Sequence, residues 1–138
     1  MPGTELEISS DRARLDVDLI HQFLSTSSYW AKGRTREVVE RSIQHSICFG
    51  AYIEGRQVAF ARVITDRAVH AYLADVFVLP EFRGRAVSKA LMRAILDHPE
   101  LNGLKWLLGT ADAHGLYRQF GFVSLAEPDR WMQRFPTP

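Results

Sequence analysis

Apolar positions along this chain follow two periods that alternate from segment to segment. Leu6-Glu7-Ile8 alternates as a short strand does. Asp16 is placed to cap a helix in which Val17, Ile20 and Leu24 recur at helical spacing, with Leu19 and Phe23 beside them. A loop from Ser25 to Gly33 carries Tyr29 and Trp30. Thr35 then caps a second helix with Val38, Val39 and Ile43 on its inner side. From Ile47 the helical period disappears. Ile47 to Glu54 and Gln57 to Thr65 read as strands joined by Gly55-Arg56, a two-residue turn with glycine first, as a type II′ hairpin requires. Both runs are apolar on each face, which predicts a central hairpin covered on both sides.

Asp66-Arg67 makes the next turn, and Val69 to Val78 is a third long strand that Pro80 ends for want of a backbone donor. From Ala86 to about Asp97 the period is helical again, with Val87, Ala90, Leu91, Ala94 and Ile95 on one face and Pro99 as the stop. Leu104 to Ala111 reads as a buried strand. A helix between it and the preceding strand implies a right-handed crossover and a parallel pair. A short helix from Ala113 to Phe120 has Gly121 as its C′ residue, and Phe122 to Leu125 and Trp131 to Phe135 supply two last strands. The order β-α-α-β-β-β-α-β-α-β-β predicts one α/β (α+β) domain over residues 1–138. It has three layers, with a mixed, mostly antiparallel sheet of about seven strands and four helices.

Composition changes this picture little. At 138 residues, 46% apolar and 24% charged, the chain suits a single core without staples. A net charge of +1, with basic residues scattered, gives no signature of nucleic acid or of an anionic membrane. The lone Cys48 has no internal disulfide partner, and no segment reads as a leader or approaches the roughly 20 apolar residues of a bilayer span. A cytoplasmic protein is expected. His21, His45, His70, His98 and His114 show no metal-ligand spacing, so no metal is expected.

The segment from Val78 to Ser88 runs from a strand end into a helix start, where unpaired N–H groups and the helix dipole favour an anion. Gly84, Ala86 and Ser88 are small at alternate positions, Val87 opens the apolar face, and Arg83 and Arg85 add charge. These residues fit an anion-binding turn or an ordinary turn with solvated arginines. They match neither GxxxxGK[ST] nor G-x-G-x-x-G.

Val78-x-Pro80-x-x-Arg83-Gly84-x-Ala86-x-Ser88-x-Ala90-Leu91 resembles motif A of the GNAT superfamily of N-acetyltransferases, whose signature is Gln/Arg-x-x-Gly-x-Gly/Ala. Ala113-x-x-Leu116-Tyr117-x-x-x-Gly121-Phe122 resembles the family's second motif, A-x-x-L-Y-x-x-x-G-F, at the family's separation. The element order matches the family fold over nearly the whole chain. Ala86 stands where glycine is usual and Ser88 where glycine or alanine is. An alanine forced to positive φ there costs on the order of 1 kcal/mol.

The resemblance implies direct attack of a substrate amine, on a small molecule or a protein, on the thioester of acetyl-CoA. It implies that Arg83 to Ser88 bind the cofactor and that a backbone N–H of Phe77 or Val78 holds the developing oxyanion. The same strand end pairs with the pantetheine arm. Tyr117 matches the residue that protonates the departing thiolate, although it is also placed simply to pack. Asp75 lies among Leu73 and Phe77 on one strand face, either as general base or as partner of an arginine; Glu5, Asp112 and His114 are weaker candidates. Ser28, Tyr29 and Trp30 lie on the connection that builds the family's acceptor pocket, where core packing explains them nearly as well. Family members often dimerise, which leaves a homodimer open. A non-catalytic acyl-CoA-binding module, its motif A degenerate at Ala86 and Ser88, is the competing expectation.

Overall fold

The computed structural model describes residues 5–136, so the outermost residues of the expected 1–138 domain lie outside the described part. Five strands form one sheet in chain order: β1 (Leu6–Ser9), β2 (Ile47–Ile53), β3 (Arg56–Thr65), β4 (His70–Val78) and β5 (Lys105–Leu108). The first four pair antiparallel, and β4 with β5 parallel. Helices α1 (Val17–Gln22) and α2 (Arg36–Gln44) cover one face, and α3 (Val87–Asp97) covers the other. A short helix, α4 (His114–Arg118), follows β5.

Local chemistry sets these elements. The Asp16 carboxylate accepts the Leu19 N–H at 3.1 Å and Thr35 Oγ1 accepts that of Val38 at 3.3 Å, so both expected caps form. After α1 the chain continues as a π-helical turn over Phe23–Ser27, which shortens the expected loop to begin at Ser28. In α2, Val39 and Ile43 are buried but Val38 faces solvent; adjacent helical residues diverge by about 100°, and only one of the pair can point inward. The β2–β3 turn is Glu54-Gly55, with φ of 53° and 77°, and Ile53 pairs with Arg56. Two left-handed residues make a type I′ turn, one position earlier than the expected Gly55-Arg56, because that turn matches the strands' twist.

The hairpin is central and buried on both faces, as its composition predicts. On one side Leu91, Met92 and Ile95 of α3 are wholly buried against Phe49, Ala61, Val63 and Leu73. Each such side chain contributes about 1.5–3 kcal/mol. On the other side Ile20, Leu24, Val39 and Ile43 pack on Cys48, Phe60 and Phe77.

The two last strands, expected over 122–125 and 131–135, do not form, so the sheet has five strands rather than about seven. This segment is irregular and is broken by a 3₁₀ turn at Pro128–Arg130. Phe122 packs against Trp106 and Tyr117, but Val123 is 84% exposed and Met132 97%, so most of the apolar residues that the period assigns to a core cover nothing. The outer edge of β5 is open, but among the described residues this segment pairs with no strand.

Candidate active site

Strand β4 carries a bulge that decides the geometry of everything beyond it. Phe60 pairs with Phe77 and Arg62 with Ala74, so Asp75 and Val76 together oppose Ala61. Asp75 takes φ 55° to accommodate the extra residue. Side-chain direction therefore switches at this point. Leu73 faces α3, whereas Phe77 faces α1 and α2. Leu73, Asp75 and Phe77 do not share a face, contrary to the alternation their spacing predicts, because a bulge inserts one residue into a period of two.

The bulge also re-aims the backbone. The Leu79 N–H donates to Val58 O at 2.8 Å, which turns Leu79 and Phe77 toward β3 and leaves Val78 between them pointing the other way. Strand β5 pairs with β4 only as far as Leu73 and Leu108. Beyond that register the two strands part, and the outward Val78 N–H borders the gap. Of the two amides expected as oxyanion donors, that of Phe77 is committed to the sheet.

At the end of β4 a 3₁₀ turn, Pro80–Phe82, leads into the loop. Arg83 folds back, its Nε donating to Val78 O at 3.1 Å, and Arg85 lies over the Phe82 ring at 5.3 Å. Gly84 has φ 78° and nothing within 4 Å of where a Cβ would stand. Ala86, the N-cap of α3, is left-handed at φ 61° and ψ 19°. The first α3 backbone bond runs from Ala90 N to Ala86 O at 3.1 Å, so the N–H groups of Val87, Ser88 and Lys89 have no partner within the helix. No acidic residue occupies the first turn, and residues 83–86 are exposed. Val87 itself is buried, which pins the helix start to the core.

Beyond β5, α4 carries Tyr117, only 7% exposed and packed against Phe122. Its Oη has no hydrogen-bond partner among the described residues, yet it is not sealed off as Tyr52 Oη is. Burial, with smaller effects of Tyr29 and Asp112, pushes the phenol up to about 12. Tyr29 Oη accepts the Ala111 N–H at 2.9 Å, tying the loop after α1 to the chain beyond β5. Trp30 meets Tyr29 edge-on at 5.0 Å. Ser28 is buried and not open to this space; its Oγ donates to Leu24 O and accepts the Ala31 N–H, bracing the loop instead.

Asp75 is fully engaged. Its Oδ1 accepts from Trp30 Nε1 at 2.8 Å, and its Oδ2 accepts from Arg34 Nη1 at 2.9 Å and from Arg62 Nε at 2.8 Å. Arg34 and Arg62 did not emerge from the sequence as site residues. Arg62 left a signal, a charge between Ala61 and Val63 in an apolar strand, which demands a buried partner. Arg34, in a polar loop, left none. Glu5, Asp112 and His114 are exposed and form none of these contacts. Cys48 is buried, and desolvation pushes its thiol up to about 12, as befits a packing residue. No group of three metal-ligating side chains occurs among the described residues, and none of their helices is long and apolar enough to cross a membrane.

A mixed sheet splayed at its parallel pair, with an open helix N-terminus at the splay, defines a class of α/β domains able to take an extended anionic ligand edge-on. Comparison with known proteins narrows the class. Residues 44–124 match the Acetyltransferase (GNAT) domain family. A Gibberella zeae protein that carries an acetyltransferase name is 31% identical over 145 positions, spanning 88% of this chain and 81% of its own length. A Xanthomonas campestris protein assigned to the GNAT family has a crystal structure that matches with TM-score 0.93 at 52% identity, over 96% of this chain and 94% of that one. A Clostridium acetobutylicum protein solved with acetyl-CoA shares the fold at TM-score 0.69 and 13% identity, over 95% and 96% of the two chains. This chain belongs to the GNAT family of acetyltransferases.

Proposed function

We propose that the chain, as one catalytic domain over 1–138, is an acetyl-CoA-dependent N-acetyltransferase. The observation that carries this reading is the open start of α3 at the end of β4, where the Val87, Ser88 and Lys89 N–H groups have no helical partner and the Val78 N–H points outward. The Tyr117 phenol, without a partner among the described residues, supports it. Acetyl-CoA supplies an activated acetyl thioester; the residues supply binding and charge stabilisation. The Val87, Ser88 and Lys89 N–H groups and the helix dipole suit a pyrophosphate, and Gly84 and Ala86 let it approach the backbone. Arg83 and Arg85 add charge, and the Ser88 hydroxyl adds a donor. The Val78 N–H is aimed to hold the thioester oxygen as it turns anionic.

The amine of a small molecule or a protein attacks the carbonyl carbon, the C–N bond forms, and the C–S bond breaks. A phenol at about 12 is a weaker acid than a thiol near 8.5, so Tyr117 stabilises the leaving sulfur by a hydrogen bond rather than by complete proton transfer. Tyr29 and Trp30 wall the acceptor side. Asp75 has both oxygens committed to three donors, so we assign it to holding Trp30 and Arg34 in place, and the amine proton leaves through water. The single thiol, Cys48, buried and unpaired, accords with a cytoplasmic setting.

One observation favours the rival reading, a non-catalytic acyl-CoA-binding module: Ala86 occupies a left-handed conformation that suits glycine. Tyr117→Phe separates the two. Phenylalanine fills the same space, so the fold persists and kcat is expected to fall by about 10²-fold or more. Calorimetric binding of acetyl-CoA without thiol release by wild type over a broad amine panel would establish the module instead. Absence of binding would sink both readings.

A further inference from the structure

Beside Trp30 the protein holds more positive charge than it neutralises. Asp75, with its side chain 2% exposed, faces Arg34 at 23% and Arg62 at 12%, and no other carboxylate comes within 4 Å of either guanidinium among the described residues. Arg62 is spent inside the fold, its Nε on Asp75 and its Nη1 on Ser46 Oγ at 3.2 Å. Arg12 Nη2 reaches Ser46 O at 3.5 Å, which adds a third guanidinium to the same neighbourhood. Arg34 is different. It uses only Nη1, and its Nε–H and Nη2–H groups have no partner among the described residues and are not sealed from solvent. Those two groups share one edge of the guanidinium, the fork that grips a carboxylate through two parallel hydrogen bonds. A partly buried cation in excess is unfavourable until an anion matches it.

The position of this edge gives it a use. Arg34 and Trp30 hang on the same carboxylate; Trp30 abuts Tyr29, and Tyr29 is close enough to Tyr117 to raise its phenol. An anion on Arg34 therefore belongs to a molecule lying along the aromatic wall toward the gap. We propose that Arg34 determines specificity at the acceptor site, and that the acceptor is a primary amine bearing a carboxylate. This rests on the acetyl-transfer reading above.

The test is thiol release from acetyl-CoA with matched acceptors, amino acids and their amides, with rates expressed per free amine because the amide also lowers the basicity of the amine. Wild type is expected to favour the acids by about 10- to 100-fold in kcat/KM, the range of a charge-assisted hydrogen-bonded contact. Arg34→Gln keeps a donor for Asp75 but loses the charge, and should bring the ratio to about one through a raised KM for the acids; Arg34→Lys should fall between. The ratio is taken within each variant, so a partly unfolded preparation does not disturb it. An acid-to-amide ratio near one in wild type overturns the proposal, as does a ratio that Arg34→Gln leaves unchanged, the mark of a merely structural arginine. Calorimetry with acetyl-CoA separates this failure from a wider one. Binding and transfer without acid preference remove only the carboxylate, whereas no binding and no transfer remove the acetyl-transfer reading and this inference together.

Discussion

Of the four non-glycine residues at positive φ among the described residues, two, Ala86 and Asp75, lie at the candidate site. Ala86 sits at φ 61° where the loop turns into α3, a conformation that places its Cβ against its own carbonyl. Ala86→Gly should raise stability by about 1 kcal/mol in urea unfolding, since glycine enters this region freely. Asp75, at φ 55°, is held by two guanidiniums and an indole. Asp75→Asn should destabilise by about 3–5 kcal/mol, the range for breaking a buried ion pair from one side. A general base would behave otherwise, with unchanged stability and a large loss of kcat. Charge within the apolar runs of β3 and β4 marked Arg62 and Asp75 as unusual in the sequence. Their pairing was not legible, because it depends on which face each side chain takes, and the bulge alters that.

Elements whose signals are local were read well. Asp16 and Thr35 cap the helices they precede, Pro80 ends β4, and of the expected α3 stripe Val87, Leu91 and Ile95 are buried, joined by Met92, while Ala90 and Ala94 are half-buried. Motif residues Tyr117, Gly84 and Ala86 lie where a strand-turn-helix reading puts them. Elements whose formation depends on distant partners were not read well. The segment after Gly121 has strand-like periodicity yet pairs with no strand, although β5 leaves its outer edge open, and the β4 bulge answers to Ala61 across the ladder, which no period within β4 reveals. The β3–β4 turn carries a pH dependence of its own. The Asp66 carboxylate accepts the Val69, Ala68 and His70 N–H groups at 2.9, 3.0 and 3.1 Å, which lowers it from 3.8 to about 2. A carboxyl lowered in the fold contributes stability above its unfolded value and loses it as pH falls through the folded one. The stability difference between wild type and Asp66→Ala, from urea unfolding, should therefore be full at about pH 6 and shrink by about pH 3.

At the scale of the molecule, the proposed function rests on a sheet buttressed on both faces and then allowed to part at one end. The cores under α3 and under α1 and α2 fix the sheet. Divergence of β4 from β5 beyond Leu73 and Leu108 then leaves backbone groups of β4 unpaired beside the start of α3. Fold class and family were legible because two motifs fall at a fixed separation on a readable order of elements. The proposed acceptor side was not, since it draws on the loop after α1, the bulge of β4 and the end of β5, three segments distant in sequence. The most direct measurement is release of the CoA thiol from acetyl-CoA, followed together with acetylation of the amine by mass spectrometry. Acetyl transfer predicts release that requires an amine, matches the acetylated product mole for mole, and drops sharply in Tyr117→Phe. Release that is absent with every amine, or that proceeds equally without one, would contradict it.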